Sequence, residues 1–138
     1  MELVYKRRIW GFECDIYGHL NNAQYLHLYE EARSEALREI GITIEDFRRM
    51  GVQIVITRVE LEYKRTVPFD EVVEIRTRIS FANRLRSTWE QRIFSADGTL
   101  CNHALIEGVY LREGRPHRIS HEMVKVFGAF LGEGQRDA

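Results

Sequence analysis

The sequence predicts an α+β fold in which one antiparallel sheet carries a long helix on a single face. Three observations lead there. Residues 2–11 and those from 58 onward alternate apolar and polar side chains, the period of strands. Residues 22–40 repeat at steps of three and four, the period of a helix. The later alternating segments are separated by short turns, so they are expected to pair antiparallel.

The elements follow in order. Leu3, Tyr5, Arg7 and Ile9 alternate with Val4, Lys6, Arg8 and Trp10, a first strand covered on both faces. Between Asn22 and Ile40, Leu26, Tyr29, Ala32 and Arg33, Ala36 and Leu37 recur on one face of a helix about 28 Å long. Asn21 is its expected N-cap, with Gln24 three residues on as the partner of a capping box, and Gly41 closes it. "TIEDFRRMG" reads as a short second helix between an N-cap at Thr43 and a stop at Gly51. Val59, Leu61 and Tyr63 then alternate with charged neighbours. After a turn at Pro68–Asp70, Val73, Ile75, Thr77 and Ile79 do the same. Residues 86–95 form another strand, ended by the turn at Ala96–Gly98, and residues 99–112 form the last. "HEMVKVFGAFL" reads as a C-terminal helix. Five strands with one covered face leave the other face to explain, and its mixed composition points to a second copy of the chain.

The 138 residues, 44% hydrophobic, suit one domain with one core over 1–138. With 20 basic and 21 acidic side chains interleaved, nothing suggests a nucleic-acid surface. No run is long and apolar enough to span a bilayer, and the charged start "MELVYKRRIWGFE" does not read as a leader. Cys14 and Cys101 stand far apart without a C-x-x-C, so a reducing, cytoplasmic setting is expected. His117 and His121 fall at a strand–helix junction, and His27 and His103 stand alone. No metal is expected, because a site needs three or more converging ligands.

The chemistry concentrates in "CDIYGHLNNAQYLHLYEEAR", Cys14–Arg33. Gly18, Asn21 and Gln24 are accounted for by a tight turn and a helix start. Asp15 lies too far upstream to cap that helix, so a turn aspartate and a catalytic carboxylate both fit. A helix N-terminus offers unpaired N–H groups and partial positive charge that stabilise an oxyanion. A carboxylate beside it can attack a carbonyl or deprotonate a water that does. Together they suit acyl transfer to water.

"ECDIYGHLNNAQYLHLYEEAR" resembles the signature of hotdog-fold acyl-CoA thioesterases related to 4-hydroxybenzoyl-CoA thioesterase. It is nearest the bacterial long-chain branch with D-x-x-x-H-x-N-N-x-x-Y. The resemblance implies a central helix wrapped by a five-stranded antiparallel sheet, dimerising through the sheets into a homodimer or homotetramer. It implies Asp15 as nucleophile or general base, and the Asn22 backbone N–H as the donor to the thioester oxygen. His19 and Tyr25 take supporting positions by the acyl group. "LRST" resembles the segment that places a basic residue and a serine, here Arg86 and Ser87, by the CoA arm. The family's Tyr-x-x-Pro is altered, with Thr66 at the proline's place and Pro68 two residues on, which bears on the turn and not on the catalytic loop.

A groove beside the central helix, lined by Tyr25, Leu26 and Tyr29, is the expected acyl site. The expected reaction is hydrolysis of acyl-CoA to free acid and CoA, with no cofactor beyond the CoA of the substrate. CoA phosphates call for cations, and 17 of the 20 basic residues are Arg, among them Arg65, Arg84, Arg86, Arg115 and Arg118. Three alternatives stay open: an acyl-carrier-protein thioesterase, a hotdog hydratase or dehydratase using Asp15 with His19, and a non-catalytic acyl-CoA binder.

Overall fold

In the computed structural model, which describes residues 1–128, alternation becomes sheet where it was expected. Strand β1 is Leu3–Arg8, β2 Gln53–Tyr63, β3 Val72–Ala82, β4 Arg86–Phe94 and β5 Leu100–Arg112. A two-residue β6, Arg115–Pro116, pairs with the end of β5. The order across the sheet is β1-β3-β4-β5-β2, with every neighbour antiparallel. The sheet thus has six strands, the sixth too short to leave a periodic trace in the sequence.

Helix α1, Tyr25–Glu39, lies against one face. Its Leu28, Tyr29, Ala32, Ala36 and Leu37 are buried with Ile75, Ile79, Ile93, Ala104 and Ile106 of the sheet. Fully burying each large aliphatic side chain is worth about 1.5–3 kcal/mol, and the two alanines let the helix approach closely. Helix α2, Ile44–Arg49, starts on a capping box in which Thr43 Oγ1 accepts the Asp46 N–H at 3.2 Å and Asp46 accepts the Thr43 N–H at 2.8 Å. Helix α3 covers His121–Phe127 with Ser120 as its cap. The end of the expected C-terminal helix, residues 129–131, lies outside the described residues. No helix among the described residues is long and apolar enough to cross a membrane.

Two expectations are corrected. The central helix begins at Tyr25 and not at Asn22, so it is about 22 Å long. Asn21 does not cap it: its side-chain oxygen accepts the Ala23 N–H at 2.9 Å, and its carbonyl accepts the Gln24 N–H, winding residues 22–24 into a turn. Gln24 makes no capping box either, since its Oε1 faces His27 Nδ1 at 2.9 Å.

The far sheet face is mixed, with Val4, Phe94 and Leu105 among charged side chains. It carries ion pairs, Glu2–Arg92, Glu74–Arg76 and Arg78–Glu90, with His103 between Glu90 and Glu62. Three exposed apolar side chains, Val55, Ile56 and Val59, follow the edge strand β2, and Val4 is exposed on the opposite edge strand β1.

Candidate active site

The segment between β1 and α1 folds into a small closed loop. Gly11–Glu13 make one 3-10 turn, and Cys14 then pairs with Leu20 in an antiparallel bridge. Inside that bridge the Asp15 N–H donates to the His19 carbonyl at 2.9 Å, and the Gly18 N–H donates back to Asp15 at 3.1 Å. Gly18 sits at φ +79°, where a side chain would be strained, so the glycine is required by the turn. The loop is laced to the β2–β3 connection by Leu20 N–H to Val67 O at 2.7 Å and Phe69 N–H to Gly18 O at 2.9 Å.

Asp15 is therefore a turn aspartate and not a strand residue. Its Oδ1 accepts the N–H groups of Tyr17 at 2.9 Å and His19 at 3.3 Å. Its Oδ2 makes no hydrogen bond among the described residues, so the turn holds the carboxylate through one oxygen.

That carboxylate opens on a pocket of about 380 Å³, where Asp15, His19, Asn22 and Tyr25 come together. Tyr17, Leu20, Tyr63, Lys64, Arg65 and Thr66 complete the wall. Asn22 stands in the turn ahead of α1, and its N–H donates to nothing among the described residues. Its carbonyl accepts the Tyr63 hydroxyl at 2.7 Å. The helix start itself has no side-chain cap: the Gln24 and His27 N–H groups donate to the Asn21 and Gln24 carbonyls, and those of Tyr25 and Leu26 have no partner among the described residues. Tyr25 and Tyr63 meet edge to face, centroids 5.0 Å apart, and burial pushes the Tyr25 phenol up to about 12. The Tyr25 ring is thus a neutral wall at physiological pH. Lys64 pairs with Glu62 and Arg65 with Asp97 on the rim.

The other expected site residues lie elsewhere. Leu26 is exposed on α1 outside the pocket wall. Tyr29 is fully buried, its hydroxyl donating to Asn102 Oδ1 at 2.6 Å, so it belongs to the core and lines no open groove. Ser87 is buried at the start of β4, and Arg86 stacks over the Phe81 ring at 5.0 Å. Arg86 faces Val109 of β5, whereas Tyr63 of the pocket faces Asn102. The two places are therefore about 23 Å apart along β5 within one chain.

The sequence marked Tyr63 and Thr66 as the altered Tyr-x-x-Pro turn and not as pocket residues, and it did not mark Lys64 at all. What brings this end of β2 to the loop is long-range pairing, Leu20 with Val67 and Phe69 with Gly18, together with the Tyr63 hydroxyl on the Asn22 carbonyl. Among the described residues no three His, Cys, Asp or Glu side chains converge as a metal site.

Comparison with known proteins gives the family and the fold. The model of the thioesterase-like superfamily matches residues 10–127. The acyl-CoA thioester hydrolase YbgC of Escherichia coli O6:H1 is 30% identical over 97 residues, 70% of this chain and 72% of that protein. The long-chain acyl-CoA thioesterase FadM of Escherichia coli K12 is 26% identical over 100 residues, 72% of this chain and 75% of its own length. The crystal structure of the DHNA-CoA thioesterase from Staphylococcus aureus superposes with a TM-score of 0.87 at 20% identity, covering 93% of this chain and 89% of that one. That last likeness shows the fold alone: a long helix held against a curled antiparallel sheet, the hotdog arrangement.

Proposed function

This chain belongs to the thioesterase-like superfamily, and we propose that it hydrolyses acyl-CoA thioesters to free acid and CoA in the pocket at Asp15. One observation carries the proposal: a carboxylate with a free oxygen shares a pocket with the uncapped start of the central helix. The thioester carbonyl oxygen takes the Asn22 N–H, and the helix start favours the negative charge that grows there. Asp15 either removes a proton from a water that attacks the carbonyl carbon, or attacks that carbon itself to give an anhydride that water then opens. In both routes the C–S bond breaks, the electron pair leaves with sulfur, and CoA departs as a thiol once protonated. His19 and Tyr25 flank the acyl carbon, and Tyr63 holds the Asn22 turn through its carbonyl.

Arg86 and Ser87 act by the CoA arm only across a pair of chains. The β2 edge, with Val55, Ile56 and Val59 bare, is the surface we assign to that contact, which makes the chain a homodimer or a larger homo-oligomer. Antiparallel pairing of two β2 edges sets the Tyr63 end of one beside the Gln53 end of the other. Gln53 faces Leu111 and Arg86 faces Val109, so the start of β4 in the second copy comes level with the pocket.

The test is thiol release from short, long and aromatic acyl-CoAs by wild type and Asp15→Asn. The expected result is turnover by wild type that falls at least about a hundredfold in the variant, the scale of a lost general base. Near-normal turnover in Asp15→Asn removes Asp15 from the mechanism. Water addition to crotonyl-CoA without thiol release would instead indicate a hydratase.

A further inference from the structure

The described residues hold one buried ion-pair cluster that the reaction above does not use, and it sits behind the pocket. Arg7 of β1 donates from Nη1 and Nη2 to the two Glu13 oxygens at 2.6 and 2.7 Å. From Nε and Nη2 it donates to the two Glu31 oxygens at 2.7 and 3.1 Å. A further Nη1 bond to the Arg8 carbonyl at 3.0 Å occupies the fifth donor of the guanidinium. The Glu13 side chain is 2% exposed and that of Arg7 13%. Glu13 also accepts the Trp10 N–H at 3.0 Å, and Tyr5 adds a hydroxyl to Glu31 at 3.4 Å.

Stability alone is a weak reason for such a cluster. A buried pair recovers little beyond its desolvation cost, and apolar residues of the same volume often serve as well. Its location gives a better one. Glu13 stands two residues before Asp15, and its carbonyl accepts the Asn21 N–H at 2.9 Å, which closes the base of the loop just before Asn22. Glu31 is on α1 itself. One planar guanidinium therefore ties three segments: the first strand, the base of the Asp15 loop, and the helix whose start faces the pocket.

We infer that Arg7, Glu13 and Glu31 are positioning residues that fix the distance between the Asp15 carboxylate and the donors at the start of α1. The inference rests on the thioesterase reading for its kinetic consequence and on the hydrogen bonds alone for its structural one. A lysine at position 7 keeps the charge but cannot fork to two carboxylates, so it is the sharp probe. A displacement of about 1 Å between reacting groups costs on the order of a hundredfold in rate.

The experiment compares Arg7→Lys, Glu13→Gln and Glu31→Gln with wild type, each assayed well below its own melting temperature. Two readouts are taken: kcat and KM for an acyl-CoA, and amide exchange at Asn21 and His19 against the β4 and β5 core amides. The expected result for Arg7→Lys and Glu13→Gln is kcat down about ten- to a hundredfold with KM within about twofold. Exchange at Asn21 and His19 should rise at least about tenfold while the core amides hold, the mark of a loop opening without global unfolding. In an Asp15→Asn background the same changes should leave residual hydrolysis unaltered. Should Arg7→Lys not fold, Glu31→Gln, whose carboxylate is 39% exposed, carries the test with smaller effects of the same pattern. Unchanged kcat and unchanged loop exchange in folded variants overturn the inference. A wild type that hydrolyses no thioester strikes the functional reading alone, because loop exchange still decides the clamp.

Discussion

Substituting Tyr29 by phenylalanine removes a single hydroxyl from the core and opens no side-chain cavity. That hydroxyl is fully buried and donates to Asn102 Oδ1 at 2.6 Å. Burial holds the phenol well above its ordinary value, so it is a neutral donor at any working pH. Asn102 is 0% exposed, and its Nδ2 already has no partner, so the variant leaves both amide atoms unpaired. A stranded buried polar group costs about 1–3 kcal/mol. With a urea slope of about 1–3 kcal/mol per molar for a domain of this size, the unfolding midpoint should fall by roughly 1 M at constant slope. Urea denaturation followed by tryptophan fluorescence reads it directly. The double variant Tyr29→Phe with Asn102→Val should recover much of the loss, since removing both partners of a buried bond is close to neutral. A midpoint unmoved by Tyr29→Phe, or a double variant weaker than the sum of the singles, would refute the reasoning.

Two further outcomes are expected. Burial alone would raise the Glu13 carboxyl, but the Arg7 guanidinium and the Trp10 N–H bonded to it hold it below the usual carboxylate range. The stability it contributes is thus fully present above about pH 4.5, the unfolded glutamate value, and is lost as pH falls through the lower folded value. The gap in melting temperature between wild type and Glu13→Gln should narrow from pH 6 toward pH 3, and a gap that stays constant argues against the assignment. Val55→Lys places a charge on the bare β2 edge and should shift the mass measured by light scattering toward the monomer, whereas an unchanged oligomer would move the interface off that edge.

The strands were legible because burial on one face writes itself into the sequence at period two, and β3, β4 and β5 fell where alternation put them. The second helix was legible through Thr43 and Gly51, because the Thr43 cap is a local bond. The start of α1 was misplaced because Asn21 has two local uses, cap and turn, that look alike in sequence. The side chain took the turn. Tyr29 has the periodicity of a groove residue and of a core residue alike, and only its bond to Asn102, far along the chain, separates them. The gap between Arg86 and the pocket depends on strand register, and the Arg7 clamp on contacts 6 and 24 residues apart, neither of which any local pattern encodes.

The uncapped start of α1 has a consequence for how this fold meets its ligand. Most helices satisfy their first N–H groups with a side chain and are complete in themselves. Here Asn21 and Gln24 both turn their side chains to other partners, and the helix is left open at the end that faces the pocket. In the mechanism we propose, an oxyanion arriving there would supply the missing cap from outside the chain. The helix would then be most completely formed when the tetrahedral carbon exists, so that folding and catalysis would share one set of hydrogen bonds.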